Sequence, residues 1–252
     1  MLKYFRKYKT GIAFSGGGAR GIAHLGAMQA IYEANIKPSV FSGTSAGAIF
    51  STLLADGKTP IEVLDIVKSI KRKDLVKPNW KGAGFMNTDG LRSLLEQHFQ
   101  YKNLEDLPIP CYVAATNIKK GRIEYFNTGN IIEVVLASAG IPGLFQVQYI
   151  NGKAYIDGGV MDNLPVAPIK NDSRKLIAIH VNPLNSGGKY KSTFQIAERA
   201  FQLAIASDIE RKKKMVDLFI EPKGLRKYGI LDVKKAEEIY ELGYKEAKKI
   251  LD

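Results

Sequence analysis

The chain has 252 residues, 45% of them apolar, and 37 Lys and Arg against 25 Asp and Glu give it a formal net charge of +12. That length and composition suit a chain with a substantial core and exclude a disordered or fibrous one. The single cysteine, Cys111, rules out an intramolecular disulfide framework and a Cys-rich zinc module, three histidines (His24, His98, His180) leave little for a metal site, and no apolar run approaches the roughly 18 residues that span a bilayer.

The basic start is followed only by the short apolar run Ile12 to Phe14, so no secretory signal is expected. A cytoplasmic setting is the default, and it leaves contact with a membrane surface open. Gly11–Ser15 reads as a strand and Ala19–Ala34 as a helix. Val40–Ser42 reads as a second strand and Ala46–Ala55 as a second helix. Thr59-Pro60-Ile61-Glu62 is a capping box with proline at the first helical position, and Ile61, Leu64, Val67 and Ile70 then recur at helical spacing. After a loop from Lys71 to Asn87, Thr88 can cap a helix carrying Leu91, Leu94, Leu95 and His98. Strands are expected at Cys111–Thr116 and Arg122–Phe126, a helix at Ile131–Ser138, and strands at Ala154–Asp157 and Lys175–Val181. Thr193–Met215 and Val233–Leu251 read as helices around a strand at Val216–Glu221. This alternation predicts an α/β layer fold with a parallel or mixed sheet, and without a linker to divide it the chain reads as one domain over 1–252.

The positive charge is spread over Lys68–Lys73, Lys119–Arg122, Arg211–Lys214, Lys223–Lys227, Lys234–Lys235 and Lys245–Lys249. No nucleic-acid motif accompanies these clusters, so no nucleic-acid partner is expected, and each reads first as a solvated face.

Three short stretches carry chemistry. Gly43-Thr44-Ser45-Ala46-Gly47 lies between a strand and a helix, the context of a nucleophile elbow, where a tight turn lifts the serine above the sheet edge. Ser15-Gly16-Gly17-Gly18-Ala19-Arg20-Gly21 also joins strand to helix, and its glycines leave backbone N–H groups unshielded for an oxyanion or a phosphate. Gly16, Gly18 and Gly21 fit a dinucleotide fingerprint too. The next strand, however, ends without the carboxylate that binds a ribose, and no Gly-Lys-Ser/Thr follows for a Walker A loop. Neither a nucleotide nor any other cofactor is therefore expected. In the third stretch, Asp157 ends a strand and Gly158 and Gly159 turn the chain sharply. Alone it would read as an Asx turn.

A histidine base would usually be sought beside such a serine, and Ser45, Asp157 and His180 satisfy one triad order. His180 instead lies in a run, Lys175 to Val181, that reads as a buried strand, and it is read as structural. His24 sits one helical turn from Arg20 and reads as a packing residue, and His98 lies near a helix end. Asp157 is then the remaining base.

Gly-Gly-Gly-Ala-Arg-Gly at 16–21, Gly-Thr-Ser-Ala-Gly at 43–47 and Asp-Gly-Gly at 157–159, in this order, resemble the patatin-like phospholipases. Gly21-Ile22-Ala23-His24-Leu25-Gly26, the segment Ala137 to Phe145 and Asn163-Leu164-Pro165 extend the similarity across about residues 10–185. The resemblance implies a three-layer α/β/α sandwich with a central, mostly parallel sheet, and a Ser45–Asp157 dyad that hydrolyses acyl esters of phospholipids or lysophospholipids through an acyl-serine. Backbone N–H groups of Gly16, Gly17 and Gly18 would bind the oxyanion, with Arg20 ordering that loop. Gly21, Gly43, Gly47, Gly158 and Gly159 complete the motifs, and neither metal nor cofactor is implied. The rival readings are a non-catalytic or weakly catalytic binding or regulatory protein that acts at a membrane surface through its basic face, and an acyltransferase using the same dyad. For contact with anionic lipid the sequence offers Trp80, Phe85 and Met86 among Lys73, Lys77 and Lys81. It also offers a stripe of Phe194, Ala197, Phe201, Ala204 and Ile205, which reads first as core packing, and the N-terminal Leu2, Tyr4, Phe5 and Tyr8.

Overall fold

The computed structural model describes residues 6–70, 88–184 and 193–252. Its centre is a strand, β1 (Tyr8–Phe14), whose Ile12, Ala13 and Phe14 are fully buried. Parallel partners flank it: β2 (Val40–Thr44) on one side and β7 (Ser173–Ile179) on the other, with β8 (Leu218–Ile220) beyond β7. Strand β3 (Cys111–Asn117) runs parallel to β2. The antiparallel strands β4 (Arg122–Phe126), β5 (Gln148–Ile150) and β6 (Lys153–Asp157) close that side, giving the order β5-β6-β3-β2-β1-β7-β8 with β4 paired to β3. The interior strands β1, β2 and β3 are buried almost throughout because both faces are covered.

Side chains alternate across the sheet and feed two cores. Ile12, Phe14, Phe41, Ile177 and Ile179 pack on one face. The helices there are α1 (Ile22–Glu33), α2 (Ala46–Ala55), α3 (Pro60–Ser69), α4 (Asp89–His98), α5 (Ile131–Ser138) and α8 (Ala236–Leu251). Ala13, Val40, Leu176 and Ala178 pack on the other face against Ile169 of the short helix α6 (Ala167–Lys170) and Ile209 of α7 (Thr193–Lys213). The result is the expected three-layer α/β/α sandwich with a mostly parallel sheet. Helix α1 is buried nearly all round because α8 lies along its outer side, and their backbones touch where a Cβ on Gly26 would collide with the Tyr240 carbonyl, or one on Gly243 with that of Ala23.

The capping box forms as read: Thr59 Oγ1 accepts from the Glu62 N–H at 3.3 Å and Glu62 accepts from the Thr59 N–H at 2.7 Å. Elsewhere the chain departs from expectation. Helix α1 begins at Ile22, because Gly18–Gly21 winds as a separate 3-10 turn. Thr88 precedes α4 without capping it through its side chain, and its hydroxyl instead accepts from Gln148 at 3.4 Å. Strand β5 and helix α6 have no counterpart in the sequence pattern, and Tyr8 is buried in the second core rather than offered to a surface. Trp80, Phe85, Met86, their neighbouring lysines, Leu2, Tyr4 and Phe5 lie outside the described residues, as do the side chains of Phe194, Ala197, Phe201 and Ile205. Ala204 is exposed.

Candidate functional site

The register around β3 brings the two predicted reacting groups together. Strand β2 runs up one edge of β3 and stops at Thr44, opposite Ala114. Strand β6 runs down the same edge in the opposite sense and stops at Asp157, opposite Ala115, while β4 occupies the other edge. Two strands therefore end head to head on adjacent residues of a third. Ser45 follows one end and Asp157 is the other.

Ser45 has φ 56° and ψ −123°, a left-handed conformation that costs a non-glycine residue on the order of 1–3 kcal/mol. Hydrogen bonds hold it there. Its N–H donates to Ser138 Oγ at 2.9 Å, and Ser138 donates in turn to the Ala114 carbonyl at 2.6 Å. Its carbonyl accepts from the N–H groups of Ala48 (2.9 Å) and Ile49 (3.2 Å), which starts α2. The elbow needs Gly47 because a Cβ there would press into the carbonyls of Phe14 and Ser15, and Gly43 because one there would collide with the Gly47 carbonyl. Gly21 faces Ala46, and Gly158 lies against Ala114 in the same tight cluster.

Asp157 is buried, its Oδ1 accepting the Gly159 N–H at 2.7 Å. Burial pushes its carboxyl up to about 6, against the pull of hydrogen bonds from Ser45 and Gly159. It is thus poised near neutrality, unlike an ordinary aspartate.

The glycine loop does not present three equivalent donors. The Gly16 N–H is spent on the Asn163 carbonyl at 3.0 Å, which corrects the expectation that it faces an oxyanion. Those of Gly17 and Gly18 carry no hydrogen bond among the described residues, and both residues line the cavity beside Ser45. Arg20 lines the same cavity and braces the loop. Its Nε donates to the Tyr228 carbonyl at 2.7 Å and its Nη1 to Asn182 Oδ1 at 3.2 Å, while Asn182 Nδ2 donates to the Gly16 carbonyl at 2.6 Å. The Ala19 N–H donates to the Ile230 carbonyl at 2.8 Å. Residues beyond the sequence motifs, Asn182, Tyr228 and Ile230, therefore shape this loop. Nothing in their local sequence marks them.

Two cavities meet at Ser45, sharing Gly18, Ile141 and Ile230 in their walls. The larger, about 420 Å³, is lined almost wholly by apolar side chains, among them Ile22, Ile49, Phe50, Leu95 and Leu144. The smaller, about 230 Å³, is more polar, with Arg20, Asp157, Asn163 and Asn182 in its wall.

Neither His24 nor His180 lines either cavity. His24 Nε2 bonds the Ser15 carbonyl at 2.9 Å, the ring meets Phe14 edge-on, and full burial lowers its pKa to about 3, so it stays neutral. His180 Nδ1 pairs with Glu221 at 2.9 Å. His98 ends α4 and lines the apolar cavity. Among the described residues, no group of three or more His, Cys, Asp or Glu side chains could hold a metal, and no helix is long and apolar enough to cross a membrane.

A layered α/β scaffold that sets an elbow serine against a buried aspartate, below an apolar cavity, defines the class. Residues 12–169 match the family described as patatin-like phospholipase, and the chain belongs to that family. It is 27% identical to the lysophospholipase NTE1 of Coccidioides immitis over 96% of this chain, and 30% identical to an uncharacterised NTE family protein of Mycobacterium bovis over 71% of this chain. It spans 18% of the fungal protein and 51% of the mycobacterial one. The fold is shared with VipD from Legionella pneumophila, with a TM-score of 0.64 at 15% identity over 98% of this chain and 67% of that one. It is also shared with the type III effector protein ExoU, with a TM-score of 0.52 at 15% identity over 97% of this chain and 53% of that one.

Proposed function

We propose that the protein is a serine lipid acyl hydrolase that cleaves acyl esters of phospholipids or lysophospholipids. The observation that carries this reading is the convergence of β2 and β6 on β3, which sets Ser45 against Asp157 where the apolar and polar cavities meet. The relatives named lysophospholipases agree with it.

The acyl chain lies in the apolar cavity, with the alcohol half of the ester on the polar side. Asp157 takes the Ser45 hydroxyl proton as Oγ attacks the ester carbonyl. The oxyanion that forms accepts from the N–H groups of Gly17 and Gly18. Collapse expels the alcohol, which takes the proton from Asp157 and leaves acyl-Ser45. Water then attacks the acyl carbonyl as Asp157 accepts its proton, and that proton passes to Ser45 Oγ as the fatty acid leaves, which restores the serine and the carboxylate. The Arg20 and Asn182 bonds keep the two free amides aimed at the reacting carbonyl.

The entrance suits a lipid surface. Val160, Met161, Leu203 and Leu231 are exposed apolar side chains at or next to residues that line the two cavities. Exposed Lys223, Arg226, Lys227, Lys234 and Lys235 lie on two turns that flank Ile230 and Leu231. Apolar rim and basic flanks match the interior and headgroups of an anionic membrane.

Hydrolysis of a mixed lipid panel, followed by mass spectrometry, tests the reading. The parent should release fatty acid, while Ser45→Ala and Asp157→Asn should not. Undiminished release by either folded variant would overturn it.

A further inference from the structure

Asp162 and Lys212 make an ion pair at 2.5 Å with both side chains almost fully buried, at 6% and 5% exposure. The pair joins α7 to the turn that follows Asp157, and Lys212 lies beyond the residues that match the family. A second carboxylate, Asp208, also contacts Lys212 and is itself paired with Arg211. Burying such a pair adds little net stability, because desolvation offsets the attraction, so its position is the informative property.

Asp162 touches both the serine elbow and the aspartate turn. Its N–H donates to the Gly158 carbonyl at 2.8 Å, which closes the turn after Asp157. Its carbonyl accepts from Thr44 Oγ1 at 2.9 Å, one residue before Ser45. Oδ1 accepts from the Leu164 N–H at 3.1 Å as well as from Lys212, and Oδ2 accepts from Tyr125 at 2.5 Å. The next residue, Asn163, accepts the Gly16 N–H on its carbonyl and Asn182 Nδ2 on its side chain at 3.3 Å. Serine elbow, aspartate turn and glycine loop are thus all tied to residues 158–163. Lys212 supplies the buried cation that faces the central carboxylate of this turn.

We infer that Lys212 is a positioning residue for the Ser45–Asp157 dyad, acting through Asp162, so that α7 is a working part of the active site. This rests on the acyl-hydrolase reading. Losing the cation leaves the buried Asp162 carboxyl with only Tyr125 and the Leu164 N–H as partners, and the turn must shift to hydrate it. A shift near 1 Å moves Asp157 and the glycine loop relative to Ser45, while the apolar cavity, built mostly from helices on the other side of Ser45, keeps most of its walls.

The test measures kcat and KM on a soluble ester, per active site titrated with a fluorophosphonate, together with thermal unfolding. Lys212→Met should lower kcat about 10- to 100-fold with KM within about twofold. Lys212→Arg should recover most of kcat. Adding Asp162→Asn to Lys212→Met should lower it no further than the worse single change, since both act through one contact. A purely structural lysine would lower the melting temperature while kcat per titrated site stayed within twofold of the parent, and that result overturns the inference. Should Lys212→Met fail to fold, Tyr125→Phe removes the opposite hydrogen bond to Asp162 without stranding a charge. It should lower kcat severalfold at constant KM, and an unchanged kcat would again overturn the inference. A Ser45→Ala control separates the two claims. Activity surviving in that variant removes the dyad itself, whereas an inactive control beside a fully active Lys212→Met removes only the positioning role.

Discussion

The raised pKa of Asp157 makes the pH profile a direct readout of the proposed base. With its carboxyl at about 6 rather than 3.8, Asp157 is ionised in most molecules at pH 7 and in roughly a tenth of them at pH 5. On a soluble short-chain nitrophenyl ester read at its isosbestic wavelength, kcat/KM should rise about tenfold from pH 5 to a plateau above pH 7, with a midpoint near 6. An ordinary aspartate would be almost fully ionised at pH 5 and give no such limb. The same burial has a thermodynamic counterpart of fixed sign. Because the folded-state pKa lies above the unfolded one, the contribution to stability is complete below pH 3.8 and lost as pH rises through 6, at a cost of about 3 kcal/mol. Asp157→Asn, which carries no charge to desolvate, should therefore be inactive and more stable than the parent at pH 7.5, with the gap closing at pH 4. His24, neutral in the fold with its pKa lowered to about 3, acts in the opposite sense, and its contribution is lost as pH falls from 6.5 towards 3. Parent and variant share it, so denaturant unfolding of the two at each pH isolates Asp157. A flat kcat/KM between pH 4.5 and 8, or a parent no less stable than Asp157→Asn at pH 7.5, would refute the reasoning.

Gly17→Ala would press its Cβ into Val181 and Asn182 and turn a free amide away from the reacting carbonyl, so kcat should fall about 10²- to 10³-fold in stopped-time ester assays while circular dichroism stays unchanged. His180→Gln and His24→Gln should each keep turnover within severalfold of the parent in the same assay, and abolished activity in a folded variant would replace the dyad with a triad. Ile196 and Leu203, exposed one heptad apart on α7, should anchor the entrance to lipid, so changing both to Asp should reduce sedimentation with anionic vesicles while activity on the soluble ester is kept.

How much of this is legible in the sequence follows from the range of each interaction. The capping box at Thr59, the elbow helix from Ala46 and the strand at Arg122–Phe126 depend on neighbours within a few residues, and all are readable from spacing. The break between Gly18–Gly21 and α1 is not, because it depends on the Ile230 carbonyl taking the Ala19 N–H from far along the chain. The motifs single out Ser45 and Asp157, but only the register on β3 explains why they meet. The Gly16–Gly18 run looks uniform as sequence, and one carbonyl, that of Asn163, distinguishes its first amide from the other two. Lys212 sits within a run of basic residues, Arg211 to Lys214, that reads as a solvated face. Its burial against Asp162 is a tertiary fact with no local signature.

Activation of Ser45 as a nucleophile by Asp157 underlies every step proposed above. Intact-mass and peptide-mapping spectrometry of the fluorophosphonate-treated protein tests it most directly. A single covalent adduct should form on the peptide containing Ser45, quickly in the parent and orders of magnitude more slowly in Asp157→Asn. An adduct on another residue, or equal labelling rates in the two proteins, would contradict it.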